Sequence, residues 1–258
     1  MPSSAQTRET AFPAPEFTAD SLLNGQVRFR QPASGYRAAI DPVFLAAAVP
    51  ARSGQRILDA GCGAGAALLC LARRVPGCSI IGIERDPALA ALARYNAGDN
   101  GFSDRVDIVT GDIAGPSAEL APDSFDHVMM NPPYLEPRRS QSSPDPSRSA
   151  AMVEEAPGIS AWVDFAHRML RAGGTLTLIH RADRLGDVTA ALKPRFGALI
   201  QVPLLPMAGR TPKRVLIRAQ KNAAAAVTVL PGFVLHAADG RFTAVADEIL
   251  RGGRGLDF

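Results

Sequence analysis

The stretch ILDAGCGAG, residues Ile57 to Gly65, governs the reading of everything around it. Apolar residues running into an acid, then glycine at every second position, predict a buried strand that stops in a tight turn. Gly61, Gly63 and Gly65 let a ligand touch the backbone. The residues that follow, Ala66 to Ala72, are helix formers, so the free N–H groups of a first helical turn face whatever fills the turn. A nucleotide-type binding turn results.

The glycines alone also satisfy the loose dinucleotide pattern G-x-G-x-x-G/A. Asp59 discriminates. A carboxylate beside the turn repels a pyrophosphate but suits the ammonium of an amino-acid-containing cofactor without phosphate, and S-adenosyl-L-methionine is such a cofactor. A second acid agrees with it: Ser79 to Glu84 reads as a strand ending in Glu84, about 20 residues past the glycines, where such folds hold a ribose diol.

Working outward, Val27 to Gln31 reads as a short strand and Gly35-Tyr36-Arg37 as a turn. Asp41 as N-cap with Pro42 at the first helical position starts a helix running to Val49. Pro87 to Asn100 is a helix closed by Gly101, and Val106 to Thr110 a strand ending at Gly111-Asp112. Phe125 to Met130 is the next strand, and it runs straight into Asn131-Pro132-Pro133-Tyr134. From residue 135 to 158 the composition turns to Pro, Ser and Arg without periodicity, which predicts a flexible loop. Ile159 to Leu170 carries a helical apolar stripe closed by Gly173-Gly174, Thr175 to His180 is a strand, and Asp183 to Phe196 is helical. Leu199 to Leu205 and Arg214 to Ala219 form a strand pair, and the remaining tail holds an extended piece and a last short helix.

Strands alternating with helices predict an α/β fold with a doubly wound, mostly parallel seven-stranded sheet and an antiparallel edge strand. Ligands of such sheets sit at the carboxyl ends of the strands, where Asp59, Glu84, Asp112 and Asn131 all fall. One cleft can therefore hold all four.

With 258 residues, 47% of them hydrophobic, the chain is large enough for one α/β core, expected over residues 21 to 258 behind a flexible tail of residues 1 to 20. It has no 18-residue apolar run and its start lacks a signal-peptide core, so a cytoplasmic protein with no membrane partner is expected. Cys62, Cys70 and Cys78 form no C-x-x-C pair and the four histidines no metal spacing, which predicts neither disulfide nor metal site. A net charge of +3 is a mild pointer to a polyanionic partner.

Asn131-Pro132-Pro133-Tyr134 carries the chemistry. A planar NH₂ group is a poor nucleophile because its lone pair is delocalised, so an enzyme that alkylates it must hold both hydrogens. The Asn131 side-chain oxygen and the Pro132 carbonyl can each accept one. The prolines fix the direction of that carbonyl, and Tyr134 offers a face for a planar group to stack on.

DAGCGAG with Glu84, Gly111-Asp112-Ile113 and NPPY together resemble the class I S-adenosylmethionine methyltransferases that modify amino groups, over residues 40 to 221. More narrowly, RQPASGYRAAIDPVFLAAAV, SPDPSRSAA after NPPY, LIHRADRL and TPKRVLIRA resemble the tRNA (adenine-N6) methyltransferases that act beside the anticodon of a valine tRNA. The resemblance implies a Rossmann-like class I fold, a tRNA substrate and S-adenosylmethionine as cofactor. It implies that Asp59, Gly61, Cys62, Gly63, Glu84, Arg85, Asp112, Ile113 and Asn131 line the cofactor site. Asp112 would accept from the adenine amino group, and Asn131, Pro132, Pro133 and Tyr134 would hold the target amine. Tyr36, Arg37 and Asp41 would sit over the cofactor on the substrate side.

Arg138, Arg139 and the acid-free group Arg210, Lys213, Arg214, Arg218 and Lys221 are candidate phosphate contacts, or else a solvated basic face. His180 reads as a structural histidine. Release-factor glutamine methyltransferases share the NPPY logic for an amide, but they carry an N-terminal helical domain, which is not expected here. A non-catalytic binding module is expected to have an altered NPPY, and here it is intact.

Overall fold

The computed structural model describes residues 17–33, 38–115, 120–133, 158–224 and 226–258. It begins with a hairpin of β1 (Phe17–Leu22) and β2 (Val27–Pro32), then α1 (Asp41–Ala48). Next come β3 (Arg56–Ala60), α2 (Ala66–Arg74), β4 (Ser79–Glu84), α3 (Pro87–Asp99), β5 (Val106–Thr110) and β6 (Phe125–Met130). The second half runs α4 (Ile159–Met169), β7 (Leu170–Arg181), α5 (Leu185–Leu192), β8 (Phe196–Met207), β9 (Arg214–Lys221), β10 (Val227–Val229), β11 (Phe233–His236) and α6 (Ala244–Gly252).

The main sheet has the order β10-β8-β9-β7-β6-β3-β4-β5, with β11 also paired to β8. All its pairings are parallel except those of β9, which lies antiparallel between β7 and β8. The expected doubly wound sheet is therefore present, enlarged by the two short strands β10 and β11. Parallel strands covered on both faces must be apolar on both, and the alternation is visible residue by residue. Ile57, Ile80 and Met129 face a core shared with α1, α2, α3 and α6. Leu58, Ile83 and Val128 face a second core shared with α4 and α5. From β3 the chain steps outward through β4 to β5 and then crosses back to β6 on the other side of β3. That reversal opens the crevice in which ligands of such sheets bind.

Several local expectations give way to longer-range contacts. Phe17 to Asp20, expected in a flexible tail, are strand, registered so that Phe17 faces Pro32 and Leu22 faces Val27. Ile40, not Asp41, is the N-cap of α1, and no side chain caps it, because the Asp41 carboxylate accepts instead from Arg214 Nε at 2.8 Å. Leu170 leaves α4 and opens β7 directly, so Gly173 and Gly174 lie within that strand. The helix expected to reach Phe196 ends at Leu192, and Phe196 begins β8.

Lys221 corrects the reading of a basic face. It is buried, and its Nζ donates to the carbonyls of His167 (2.8 Å) and Leu170 (2.6 Å) at the end of α4 and to Asp123 Oδ1 (2.6 Å). A cation at a helix C-terminus satisfies carbonyls that the helix cannot. We expect Lys221→Met to lower stability by about 2 kcal/mol, since two buried acceptors lose a charged donor. A shift of the urea midpoint with unchanged slope measures it; an unmoved midpoint removes Lys221 from the fold.

All three cysteines are buried and free. Among the described residues no helix is long and apolar enough to cross a membrane.

Candidate cofactor and acceptor site

A cavity of about 790 Å³ lies at the carboxyl ends of β3, β4, β5 and β6. Its floor is the glycine turn. Gly61, Gly63 and Gly65 all have positive φ (68°, 56° and 94°), a region that residues with a Cβ enter at a cost. At Gly61 space also forbids one: a Cβ would lie 2.4 Å from Cη2 of Trp162. The turn is held to β4 by Gly61 N–H and Cys62 N–H, both donating to the Ile83 carbonyl at 2.8 and 3.0 Å.

Glu84 ties two pieces of this floor together. Its Oε2 accepts from Gly63 N–H and its Oε1 from Asp86 N–H, each at 2.9 Å. A carboxylate offers about four acceptor positions, so two remain for a ligand. Asp86 in turn caps α3, accepting from Ala88 N–H at 2.8 Å, with Pro87 in the first turn.

Asp59 is 2% exposed, and its Oδ2 is buried without a hydrogen-bond partner. Burial pushes its carboxyl up to about 8; the Leu68 N–H at the start of α2 pulls the other way, and the nearby Glu84 charge adds to the rise. Burial first, with the charges of Asp59 and Glu84, also raises the Cys62 thiol well above its ordinary value. Cys62 is therefore packing, not a nucleophile. On β5's side, Asp112 Oδ1 accepts from Ala114 N–H at 2.9 Å, which holds the Gly111–Ile113 turn against the cavity.

The cavity gathers most of the residues expected from sequence. Asp59, Gly61, Cys62, Gly63, Glu84 and Arg85 line it, as do Asp112, Ile113, Asn131, Pro132 and Pro133. Tyr36, Arg37, Tyr134, Arg138 and Arg139 fall outside the described residues. Asp41 is not among the lining residues, although its neighbour Pro42 is. Its partner Arg214 donates to it from Nε at 2.8 Å, with the Arg214 side chain about one third exposed. Lys213 is exposed but lines no part of the cavity. The Arg218 guanidinium lies 4.5 Å over the Phe258 ring.

Three contributors were missed in the sequence. Trp162 is buried at 7% exposure with its indole Nε1 unpartnered, and it forms the wall above Gly61. In the sequence it is one apolar position in a helical stripe. Phe29, Gln31 and Pro32 make β2 a second wall. Asn96 of α3 and Asn100, the C-cap of that helix, dock that wall, acting as a substitute strand along the β2 edge. Arg30 N–H donates to Asn96 Oδ1 (3.0 Å) and Asn96 Nδ2 donates to the Arg30 carbonyl (2.8 Å). Asn100 repeats the pair on Arg28 at 2.9 and 2.7 Å. Asn96 Nδ2 also donates to the Ala64 carbonyl at 2.9 Å, so one side chain links β2 to the glycine turn.

Four acids and one arginine line the cavity, a balance that disfavours a pyrophosphate and favours a cationic ligand. The unpartnered Asp59 oxygen and the unfilled acceptor positions of Glu84 fit the ammonium and ribose hydroxyls of S-adenosylmethionine. A doubly wound sheet with such a cleft at its switch point is that of the class I S-adenosylmethionine-dependent methyltransferases, and S-adenosylmethionine is the cofactor. The profile of a methyltransferase-domain family matches residues 51–194. The chain belongs to this family and, within it, to the proteins named tRNA1(Val) (adenine(37)-N6)-methyltransferase. The one from Porphyromonas gingivalis is 37% identical over 167 residues, 63% of this chain and 64% of that protein. The chain thus matches less than two thirds of the length of that relative. The one from Bacteroides thetaiotaomicron is 34% identical over 179 residues, 69% of this chain and 73% of its own. The crystal structure of a predicted O-methyltransferase from Agrobacterium tumefaciens matches with a TM-score of 0.71 at 28% identity, covering 84% of this chain and 98% of that one.

Proposed function

We propose that this protein methylates the N6 amino group of an adenine in a tRNA anticodon loop, in the cytoplasm. One observation carries the reading: Asn131, Pro132 and Pro133 open onto the same cavity as Asp59 and Glu84. An amine acceptor and a methyl donor can therefore meet there. When bound, S-adenosylmethionine supplies a methyl group on a positively charged sulfur. Asp59 holds the ammonium of its amino-acid end, Glu84 the ribose hydroxyls and Asp112 the adenine amino group. Cys62, Ile113 and Arg85 complete that wall. Asn131 and the Pro132 carbonyl accept the two hydrogens of the target NH₂, and Pro133 holds that carbonyl in direction. Tyr134 supplies the stacking face. Positioning is most of the catalysis, since an in-line displacement needs distance and alignment more than a base. The target base must leave its stack to reach a strand-end cavity, which is easier from a loop than from a duplex.

Nucleoside mass spectrometry of bulk tRNA incubated with protein and cofactor tests the reading. N6-methyladenosine is expected, formed at a rate that falls steeply between about 50 and 200 mM salt. Methylation of a protein glutamine with tRNA left untouched assigns the acceptor site to an amide instead.

Protons provide a separate check on Asp59. With its carboxyl at about 8, the empty protein holds it neutral at pH 6. A raised carboxyl stabilises the fold fully below its ordinary 3.8, and that contribution is lost as pH rises through about 8. An arriving ammonium favours the charged form, so binding at pH 6 should release about one proton. Calorimetry in two buffers of different ionisation heat reads it. Asp59→Asn should release none, and should lose less stability than the parent from pH 5 to 8. Equal proton release from both proteins removes Asp59 from the ammonium site.

A further inference from the structure

Three of the arginine and lysine side chains that the sequence offers to phosphates already have partners within the fold: Arg214 with Asp41, Arg218 over Phe258, and Lys221 at the end of α4. The hairpin presents a different set. Alternation along β2 turns Val27, Phe29 and Gln31 inward and Arg28 and Arg30 outward. Residues directly opposite one another across an antiparallel pair share a face, so Phe17, Ala19 and Ser21 of β1 lie beside Pro32, Arg30 and Arg28. Phe17 is 43% exposed and flanks Pro32, a residue of the cavity wall. Tyr95 of α3 extends the same surface, 45% exposed, with the Arg30 guanidinium 4.5 Å from its ring centre. Asp99 also lies on this surface; it pairs with Arg28 at 3.0 Å and leaves the Arg28 side chain 68% exposed.

From this arrangement we infer that the outer face of the hairpin, with Tyr95, is the surface on which the RNA strand lies as its base enters the cavity. The inference rests on the RNA reading above. Exposed aromatic rings interleaved with arginines serve single-stranded nucleic acid: rings stack on any base, and guanidinium groups follow phosphates. Phe17 at the mouth receives a base next to the extruded one, Arg30 and Arg28 track the backbone beyond it, and Tyr95, already stacked by Arg30, takes a second base. A loop strand fits a surface one hairpin wide. Nothing in these contacts reads base edges, so the surface adds affinity and register rather than sequence choice.

The test is tRNA binding by fluorescence anisotropy across a salt series, with methylation measured in parallel. Arg28→Glu with Arg30→Glu should weaken binding at low salt and reduce the slope of log affinity against log salt by about 1.4, the share of two single-strand phosphates. Phe17→Ala and Tyr95→Ala should each weaken binding about tenfold with little change in slope. Cofactor affinity should stay at the parental value and the thermal midpoint should fall only slightly, since Asn96 and Asn100 bond the backbone of Arg28 and Arg30 and the Arg28–Asp99 pair that is lost is exposed. A merely structural role for these residues predicts the reverse, a much lower midpoint and an unmoved salt slope. Parental tRNA affinity and slope in all variants, with a parent that methylates tRNA, overturn the surface alone. A parent that neither binds nor methylates tRNA overturns the RNA reading and the surface with it.

Discussion

Asn131→Ala is expected to bind S-adenosylmethionine with nearly parental affinity and to lose turnover by a factor of 10² or more. Asn131 follows β6 and is proposed to meet the acceptor, whereas the glycine turn proposed to receive the cofactor follows β3. The two strand ends are neighbours, Ala60 pairing with Met130, so the functions separate by what each side chain meets and not by distance. Losing one positioned polar group at a reacting centre typically costs about 3 kcal/mol of transition-state stabilisation, and uniform binding is not what is lost. Calorimetry for the cofactor and single-turnover methylation with tRNA give the two numbers. A variant that turns over at the parental rate makes Asn-Pro-Pro a strand terminator, and one that loses cofactor affinity in proportion moves Asn131 to the donor side.

Gly61→Ala is expected to cost as much, at the neighbouring strand end, since Ala60 of β3 pairs with Met130 of β6. Its φ of 68° penalises any Cβ by about 1–2 kcal/mol, and the new methyl would lie 2.4 Å from the Trp162 ring. Overpacking of that kind adds about 1–3 kcal/mol, because either the indole or the turn must move. Cofactor affinity should fall about a hundredfold, with a lower thermal midpoint. The steric part belongs to a pair of residues, so Gly61→Ala combined with Trp162→Ala should lose less than the sum of the two single changes. Additivity in that cycle places the whole cost in backbone strain and none in the indole.

Whether a feature was legible in the sequence depended on how far apart its partners lie. The glycine turn, Glu84 and Asn-Pro-Pro each follow a strand written in a few consecutive residues, and the parallel sheet then brings strand ends together without further information. Asp41 shows the limit of local rules. A capping residue before proline is sound as a peptide rule, but Arg214, 173 residues away, takes the carboxylate. Lys221 misled for the same reason, since its acceptors belong to α4 and to Asp123. β1 has a mixed polar sequence, FTADSL, and becomes a strand because β2 supplies the register. Trp162 carries no mark that separates a core aromatic from a cavity wall; only its overlap with the space above Gly61 does that.

Asn96 and Asn100, in α3 and at its C-cap, also set a timetable. Arg28 and Arg30 find their partners 72 and 66 residues further along the chain. At translation rates of about 5–20 residues per second, the hairpin waits roughly 3 to 14 s before Asn96 and Asn100 are made. During that interval Val27 and Phe29 have no core to enter, and the edge of β2 is open to any strand that comes near. Substituting Asn96 or Asn100 would leave that edge unclaimed in the nascent chain and in the finished fold alike. Soluble yield on expression is therefore where the loss of either asparagine should register first, before any effect on a purified enzyme is measured.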